Sequence, residues 1–200
     1  MKCIVLVSGI LRTFYDTLYP FLCKVNNYIE VQLYICTSPD IQDAKYQGRN
    51  YMEQIQSCIE NPMCKACLIE KGIEYPNLDK RENNTLQQWH KLQILFQSLN
   101  PESIANDDII LRIRPDVEVQ IFPEEFAALL IKHTSSDYVY IPTGNDIFDK
   151  RFTHYTTNTL NDQIAFGSYA PMKQYFLCIL HWIYLHYQDP LLVNQFYIPI

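Results

Sequence analysis

Glycine, basic charge and long apolar runs are all scarce in this chain of 200 residues, and each shortage excludes a class of protein. Only 5 residues are glycine, and neither a glycine-rich phosphate loop nor a dinucleotide-binding fingerprint is present. The net charge of −6 argues against a general nucleic-acid-binding protein, which needs a basic surface to neutralise phosphates. No apolar run reaches the length of a transmembrane helix, because the nearest candidate, Tyr169 to Tyr187, contains Lys173 and histidines.

The residues that are abundant indicate a single globular domain. Apolar residues make up 48% of the chain and charged residues 19%, which excludes an intrinsically disordered protein. A chain of this length buries a sizeable core as one domain over residues 1–200. The apolar tail that ends at Ile200 either docks on this domain or continues into a longer polypeptide.

The amino-terminal run from Cys3 to Val7 has some features of a signal peptide, but it is better explained as a strand. The run is short, Arg12 follows it closely, and no small-x-small cleavage site is present. The chain also holds 7 cysteines, an odd number that favours a reducing compartment. We therefore expect a cytoplasmic protein.

One group of cysteines has the spacing of half a zinc site. Cys64 and Cys67 form a C-x-x-C pair, and Cys58 lies nearby in the chain. No second pair follows, and the nearest downstream histidine is His90. Structural zinc is therefore an alternative to a set of ordinary thiols.

The order of the predicted elements indicates an α/β fold. An apolar strand at 3–7 is followed by a helix from about Thr13, its cap, to about Val25, and then by a second strand at 31–36. Strand, helix and strand over this length form a right-handed β–α–β unit. In the middle of the chain, the predicted segments are a weakly helical stretch at 41–60, an irregular surface excursion at 61–83, a helix from a cap at Asn84 to Asn100 and a central strand at 109–113. They are followed by a short strand at 117–121, a helix at 123–131 and a strand at 137–141. The last segments are a loop at 142–159, a short apolar segment at 164–168 and a helix at 169–187.

A pair of acids follows the central strand. Asp116 and Glu118 are separated by one residue, and in an extended segment such residues point the same way. Two neighbouring carboxylates repel each other unless a cation or a proton lies between them, and their oxygens suit Mg²⁺ or Mn²⁺. Ligand sites in α/β sheets lie at the carboxyl ends of strands, which favours a metal site over a pair of solvated acids.

Other candidate residues lie at the ends of predicted elements. Ser8 and Gly9 form a turn between the first strand and a helix start that holds Arg12, an arrangement that presents backbone N–H groups to an anion. Lys91 lies off the apolar face of its helix, where it either reaches a phosphate or is solvated. Asp162 precedes a short apolar segment, where it either accepts a proton from an attacking hydroxyl or caps the next turn.

Taken together, several short blocks carry a resemblance. The blocks are Ser8-Gly9-x-x-Arg12-Thr13-Phe14 after Val5-Leu6-Val7, Trp89 with Lys91, Arg112-x-Arg114-Pro-Asp116, and Asn161-Asp162-Gln163-x-Ala165-x-Gly167. In this order they resemble small viral and bacterial glycosyltransferases of the GT-A type, including those of chlorella viruses. The resemblance spans about residues 3 to 172.

The resemblance implies a GT-A fold, in which a central and mostly parallel sheet is flanked by helices. Asp116 and Glu118 then match the DxD motif that holds Mn²⁺ or Mg²⁺ against the diphosphate of a nucleotide sugar. Glu118 departs from the second Asp of that motif, which puts the metal preference in doubt. Ser8 and Gly9 would contact the nucleotide.

The same resemblance implies roles for the remaining candidates. Arg12 would contact the nucleotide, while Lys91 and Arg114 would add positive charge where the diphosphate departs. Asp162 would act as the base that deprotonates the acceptor hydroxyl.

The implied activity is the metal-dependent transfer of a sugar from a nucleotide-diphosphate donor, with a UDP-sugar favoured, to a hydroxyl of a glycan or glycoprotein. Inversion of the anomeric centre is the favoured outcome. Two alternatives stay open: a catalytically inactive nucleotide-binding or interaction domain, and a metal-dependent phosphoesterase. The phosphoesterase would need a fuller set of metal ligands than the sequence offers.

Overall fold

The computed structural model describes residues 1–11, 13–38, 51–71, 80–134, 137–141 and 163–177. Within these residues, one five-stranded sheet has the strand order β3-β2-β1-β4-β5. The first four strands are parallel, and β5 is antiparallel to β4. The strands are β1 (Lys2–Ser8), β2 (Glu30–Thr37), β3 (Cys64–Ile69), β4 (Ile109–Ile113) and β5 (Ile164–Gly167).

Helices cover both faces of this sheet. They are α1 (Leu18–Val25), α2 (Tyr51–Ile59), α3 (Lys80–Ser98) and α4 (Pro123–Lys132), with a short 3-10 helix at Pro101–Ser103 and helical backbone at 169–177. Side chains of α1, α2 and α4 pack on one face, and those of α3 and of 169–177 pack on the other. Among the described residues, no helix is long and apolar enough to cross a membrane.

The sequence of the central strands explains why both faces are covered. In β1, Val5 and Val7 pack toward α1, whereas Ile4 and Leu6 pack toward α3. A strand buried on both sides needs apolar residues at every position, which is the continuous pattern seen in the sequence. The predicted α/β class, with a mostly parallel sheet flanked by helices, is therefore confirmed, and it is compatible with a GT-A fold.

The first helix begins later than the sequence predicts. Residues 13–17 form turns, in which the backbone N–H and the hydroxyl of Thr17 both donate to the carbonyl of Thr13, at 2.9 and 2.8 Å. Phe14 is fully buried in this segment. The predicted cap at Thr13 is therefore wrong, because the chain inserts an aromatic ring into the core before α1 begins at Leu18.

An unpredicted strand lies within the segment 61–83. β3 pairs in parallel with β2, and the register passes from Leu33 opposite Cys64 to Tyr34 opposite Ala66, which leaves Lys65 as a bulge. A bulge breaks the alternation of side chains between the two faces of the sheet. The strand therefore lacks the regular alternation of apolar and polar residues from which strands are predicted. The predicted surface excursion is thus wrong for this part of the segment.

The bulge also brings Cys64 and Cys67 onto the same core cluster as Cys58. Burial raises the pKa of Cys58 to about 11 and that of Cys67 to about 12, so both thiols stay protonated at neutral pH. In the described part of the chain, no group of three or more cysteine, histidine or acidic side chains is arranged to hold a metal ion. The cysteines therefore behave as core thiols, and the zinc alternative gains no support.

Other boundaries differ from the predictions for local reasons. α3 begins at Lys80, before the predicted cap at Asn84. The backbone at 117–121 is irregular, and the segment 137–141 contributes a single bridge, between Tyr140 and Phe166, instead of a strand. A Cβ atom on Gly167 would lie 2.8 Å from the carbonyl oxygen of Tyr138, so this close approach requires glycine. The predicted loop at 142–159 lies outside the described residues.

Candidate functional site

The strand order creates a crevice between β1 and β4. The chain leaves β1 through α1 to reach β2 on one side, and it returns through α3 to place β4 on the other side. The two connecting helices lie on opposite faces of the sheet. In open α/β sheets, ligands bind outside the carboxyl ends of the strands at such a reversal of strand order. The residues that follow β1 and β4 therefore form the candidate site.

The backbone of the loop after β1 comes close to the loop after β4. Ser8 is buried at the end of the strand, and Gly9 has φ of +123° with its N–H donating to the carbonyl of Cys36 at 3.0 Å. That φ lies in a region that side chains disfavour, which explains why glycine is found here. A Cβ atom on Gly9 would lie 3.7 Å from the ring of Pro115, so the loops after β1 and β4 lie against each other.

The loop after β4 holds an ion pair. The backbone N–H of Arg114 donates to the carbonyl of Gln163 at 3.0 Å, which ties this loop to the start of β5. The guanidinium atoms Nε and Nη2 of Arg114 then donate to Oδ1 and Oδ2 of Asp116, each at 3.1 Å. The pair is bidentate and only partly buried, with the Asp116 side chain 40% exposed.

The backbone at this loop is not extended as the sequence suggests. The N–H of Val117 donates to the carbonyl of Arg114 at 3.3 Å, and this closes a turn around the buried Pro115. The alternation rule that would place Asp116 and Glu118 side by side applies only to extended backbone. Asp116 therefore contacts Arg114, while Glu118 is exposed.

Asp116 and Glu118 have the chemistry that a hard divalent cation favours, although the turn does not hold them side by side. Asp116 and Glu118 are exposed oxygen ligands next to a strand end, and Mg²⁺ and Mn²⁺ favour oxygen ligands. Asp116 would have to exchange Arg114 for the metal. Among the described residues no third metal-ligating side chain joins these two, so phosphate oxygens or water would complete the coordination.

Lys91 is buried, contrary to the prediction that it lies off the packing face. It is 2% exposed, and it lies on the same stripe of α3 as Leu95 and Leu99. Burial lowers the pKa of Lys91, while the nearby Cys36 and Glu70 raise it. The sequence pattern misses this placement because a lysine within an apolar stripe is counted as polar.

A second buried cation lies beneath Trp89. Arg112 is 2% exposed in the middle of β4, and its guanidinium carbon lies 4.5 Å from the centre of a Trp89 ring. This cation–π contact connects α3 to β4. The sequence pattern assigns Arg112 no role of its own, although a charged residue inside an otherwise apolar central strand is a signal that could have identified it.

A row of polar residues, Lys91, Arg112, Ser8 and Cys36, lies on the α3 side of the sheet. Ser8 lies opposite Cys36 on β2, and Arg112 lies opposite Leu6 on β1. The pairing of β1 with β4 ends at Val7 and Ile113, and Ser8 and Arg114 are the residues that follow this last pair. The charge of Lys91 acts on the thiol of Cys36, which lies opposite Ser8 at the carboxyl end of β1.

Cys36 is not a nucleophile in this row. Burial raises the pKa of the Cys36 thiol to about 12, and the neighbouring Lys91 lowers it only in part. The thiol therefore stays protonated at neutral pH. The row can bind an anion through its cations and its serine hydroxyl, but it offers no thiolate for covalent chemistry.

Two predicted site residues lie outside the described residues. Arg12 was predicted to contact the nucleotide and Asp162 to act as the base. Their roles therefore stay predictions. The structure places Gly9 against Pro115, so the Ser8–Gly9 turn lies beside the loop that holds Arg114 and Asp116.

Comparison with known proteins does not extend these observations. No model of a known protein family matches the chain, and no curated protein matches it with significance. Any functional assignment therefore depends on the chemistry of the site.

Proposed function

We propose that this protein is a metal-dependent glycosyltransferase that moves a sugar from a nucleotide-diphosphate donor to a hydroxyl of a glycan or glycoprotein. The observation that supports this function best is the approach of Gly9 to Pro115, between Arg114 and Asp116, at the reversal of strand order. At this edge of the sheet, a loop with exposed backbone lies next to cations and a carboxylate. Such an arrangement suits a ligand that carries a diphosphate and a metal ion. A UDP-sugar is the favoured donor.

Each part of the site has a task in this proposal. The backbone of Gly9 and the hydroxyl of Ser8 contact the nucleotide, while Lys91 and Arg114 offset the charge of the diphosphate. Asp116 and Glu118 hold Mn²⁺ or Mg²⁺, which when bound acts as a Lewis acid toward the departing diphosphate.

The ion pair of Arg114 with Asp116 suggests how donor binding and metal binding would be coupled. Each side chain neutralises the other through the contacts of 3.1 Å. In the presence of a donor, Arg114 would turn to a phosphate oxygen, and Asp116 would then be available to hold a metal ion. Because one exchange serves both partners, diphosphate and metal should each strengthen the binding of the other.

The acceptor side of the reaction depends on Asp162. A carboxylate near the acceptor hydroxyl would remove its proton as the glycosidic bond forms, a contribution of about 10²–10⁴-fold in rate. Direct attack of this kind inverts the anomeric centre. We expect Asp162→Ala to leave donor binding unchanged and to stop transfer; transfer by this variant would exclude Asp162 as the base.

A second function, nucleotide binding without transfer, is favoured by one observation. Asp116 is already satisfied by Arg114, so the site could bind an anion in the manner of a simple receptor. A phosphoesterase has less support, because no cluster of metal ligands is found in the described residues. The three functions differ in whether the protein binds, transfers or hydrolyses.

Calorimetric titration with UDP- and GDP-sugars, with and without Mn²⁺, tests the proposal. We expect one donor class to bind only when the metal is present, followed by sugar transfer to an oligosaccharide acceptor. Metal-dependent binding without transfer to any acceptor would favour the receptor function. A folded protein that binds no nucleotide sugar would overturn the proposal.

A further inference from the structure

Exposed apolar side chains are concentrated on α4 and the two residues that precede it. Among the described residues nine large apolar side chains are exposed, and four of these lie within residues 121–131. They are Ile121 (43% exposed), Phe122 (67%), Leu129 (39%) and Ile131 (39%). Single exposed apolar side chains are ordinary on a protein surface, whereas a group of them on one element indicates an interaction surface.

The inner face of α4 is already used by the fold. Phe126, Ala127 and Leu130 are buried, and the centre of the Phe126 ring lies 5.3 Å from that of Phe21 on α1. The helix is therefore fixed on the body of the protein with its opposite side toward solvent. A partner that binds this outer face would meet a helix that is already ordered, and little entropy would be lost on binding.

The charges on the outer face complement those of a second copy that runs in the opposite direction. Residues 125, 128, 129 and 132 form one stripe, because residues three and four apart share a helix face. Glu125 and Lys132 are exposed at its two ends, and Ala128 and Leu129 are exposed midway between them. In an antiparallel pair of helices centred between residues 128 and 129, Glu125 of each copy faces Lys132 of the other, and Leu129 packs on Ala128.

Other partners fit the same face less well. In a parallel pair about a two-fold axis, Glu125 would face its own copy and so would Lys132, and facing like charges disfavour association. An anionic membrane surface would be repelled by Glu124 and Glu125, which are both exposed in the first turn of the helix. The apolar and the charged residues of the stripe therefore agree on one partner, a second copy of this chain.

We infer that the outer face of α4 is the interface of a symmetric homodimer, in which two copies of the helix pack antiparallel around Ala128 and Leu129. A two-fold axis uses the same surface on both copies, so one self-complementary stripe is sufficient to form a closed pair. The helix is about 15 Å long, and the interface is therefore small and the dimer weak. No residue of the candidate site takes part, so the test of this inference is independent of the proposed function.

Sedimentation velocity of the full chain over about 5–500 μM tests the inference. We expect a monomer–dimer equilibrium with a Kd on the order of 100 μM or tighter. Leu129→Asp should weaken the association by about tenfold or more, because it places a carboxylate in the centre of an apolar contact. Ile69→Asp is the matched control, since Ile69 is 42% exposed at the end of β3, an edge strand of the sheet.

An exchange of charges tests the antiparallel arrangement. Glu125→Lys and Lys132→Glu should each weaken self-association by about three- to tenfold, because each replaces two facing ion pairs with like charges. An equimolar mixture of the two variants should associate again, since all facing charges in the mixed dimer are opposite in sign. Both side chains are exposed, so neither substitution should disturb the core.

The other possible results decide against the inference. An unaltered protein that stays monomeric over the whole concentration range would overturn it, and so would a dimer that Leu129→Asp leaves intact. Weakening by Leu129→Asp without recovery in the mixture of charge variants would exclude the antiparallel pair. Circular dichroism checks that each variant is folded, and if Leu129→Asp is not, the mixture of the two charge variants decides alone.

Discussion

Charged side chains lie at both ends of the central sheet, but they are held in different ways. At the amino end, the buried Asp108 accepts hydrogen bonds from the backbone N–H groups of Lys2 and Ala105, at 2.8 and 2.9 Å. The ammonium group of Lys2 and the amino group of Met1 lie 3.7 and 3.9 Å from the same carboxylate. At the carboxyl end, Asp116 is held by the side chain of Arg114 alone among the contacts described above.

The difference indicates which end can bind a ligand. Backbone N–H groups cannot move away from Asp108 without distorting β1, so that carboxylate is committed to the fold. The side chain of Arg114 can rotate, and the pair that it forms with Asp116 is partly exposed, so either group can exchange its partner at small cost. The amino end therefore stabilises the sheet, and the carboxyl end is suited to binding.

The largest expected difference between the two ends is in binding. Asp116→Ala should weaken the binding of a nucleotide sugar in Mn²⁺ by roughly 100-fold, because the metal loses a carboxylate ligand. Calorimetric titration of both proteins measures the change, and Asp107→Ala, at an exposed aspartate of the amino end, is the matched control. Unchanged affinity of the Asp116 variant in Mn²⁺ would contradict the assignment of this residue.

At the amino end of the sheet, we expect a substitution to change stability instead of binding. Asp108→Ala leaves the N–H groups of Lys2 and Ala105 without their acceptor, so we expect a loss of about 2–4 kcal/mol in the free energy of unfolding. Urea denaturation measures the loss. Asp107→Ala should change stability by less than about 0.5 kcal/mol, since this side chain is 57% exposed. Equal effects of the two substitutions would show that burial of Asp108 is unimportant.

A smaller change is expected at Gly9. Its φ of +123° is strained for any side chain, although a Cβ atom would find ordinary contact distances to Pro115. Gly9→Ala should therefore destabilise the fold by about 1–3 kcal/mol through backbone strain alone. Ser8→Ala, which leaves the backbone free of strain, is the control in the same denaturation experiment. If the two variants are equally stable, the loop after β1 adopts another conformation in solution.

The smallest expected effect is a gain in stability on substitution of Lys91, whereas the substitutions above reduce stability. Burial lowers the pKa of this lysine in the folded protein, so between its folded and unfolded pKa values the unfolded chain binds more protons, and stability rises with pH. Lys91→Met removes the buried charge and should stabilise the protein at neutral pH by about 1 kcal/mol. The gain should shrink as the pH approaches the ordinary pKa of lysine. Thermal denaturation over this pH range measures it, and a gain that is independent of pH would show that the ammonium is not destabilised. Burial also lowers the pKa of His90, the residue that precedes Lys91 in α3.

The central strands of the fold could be predicted because short stretches of the sequence indicate which of their residues are buried. β1 and β4 are nearly continuous apolar runs that a parallel sheet buries on both faces, and β2 alternates apolar residues with polar or half-buried ones. β3 could not be predicted in the same way, because its bulge at Lys65 interrupts the alternation and its residues are only partly buried. The start of α1 was misplaced because the burial of Phe14 outweighs the local preference for a cap at Thr13.

The proximity of the candidate site residues could be predicted from the sequence, but the contacts between their side chains could not. Ser8, Gly9, Arg114 and Asp116 follow strands, and the carboxyl ends of parallel strands meet at one edge, so their proximity follows from the pattern of elements. The turn at Pro115, which directs Asp116 to Arg114, depends on backbone geometry that the alternation rule does not describe.

The sequence alone determined the class of the fold and the end of the sheet at which polar residues gather, because both follow from the periodicity of apolar residues along the chain. Only the tertiary structure decided that Lys91 is buried, that Arg112 lies beneath Trp89 and that Arg114 holds Asp116. These contacts join residues of α3, β4 and the loop after β4, and such contacts depend on how the helix lies on the sheet. The burial and the partner of a charged side chain follow from that packing, and therefore no pattern within one segment could reveal them.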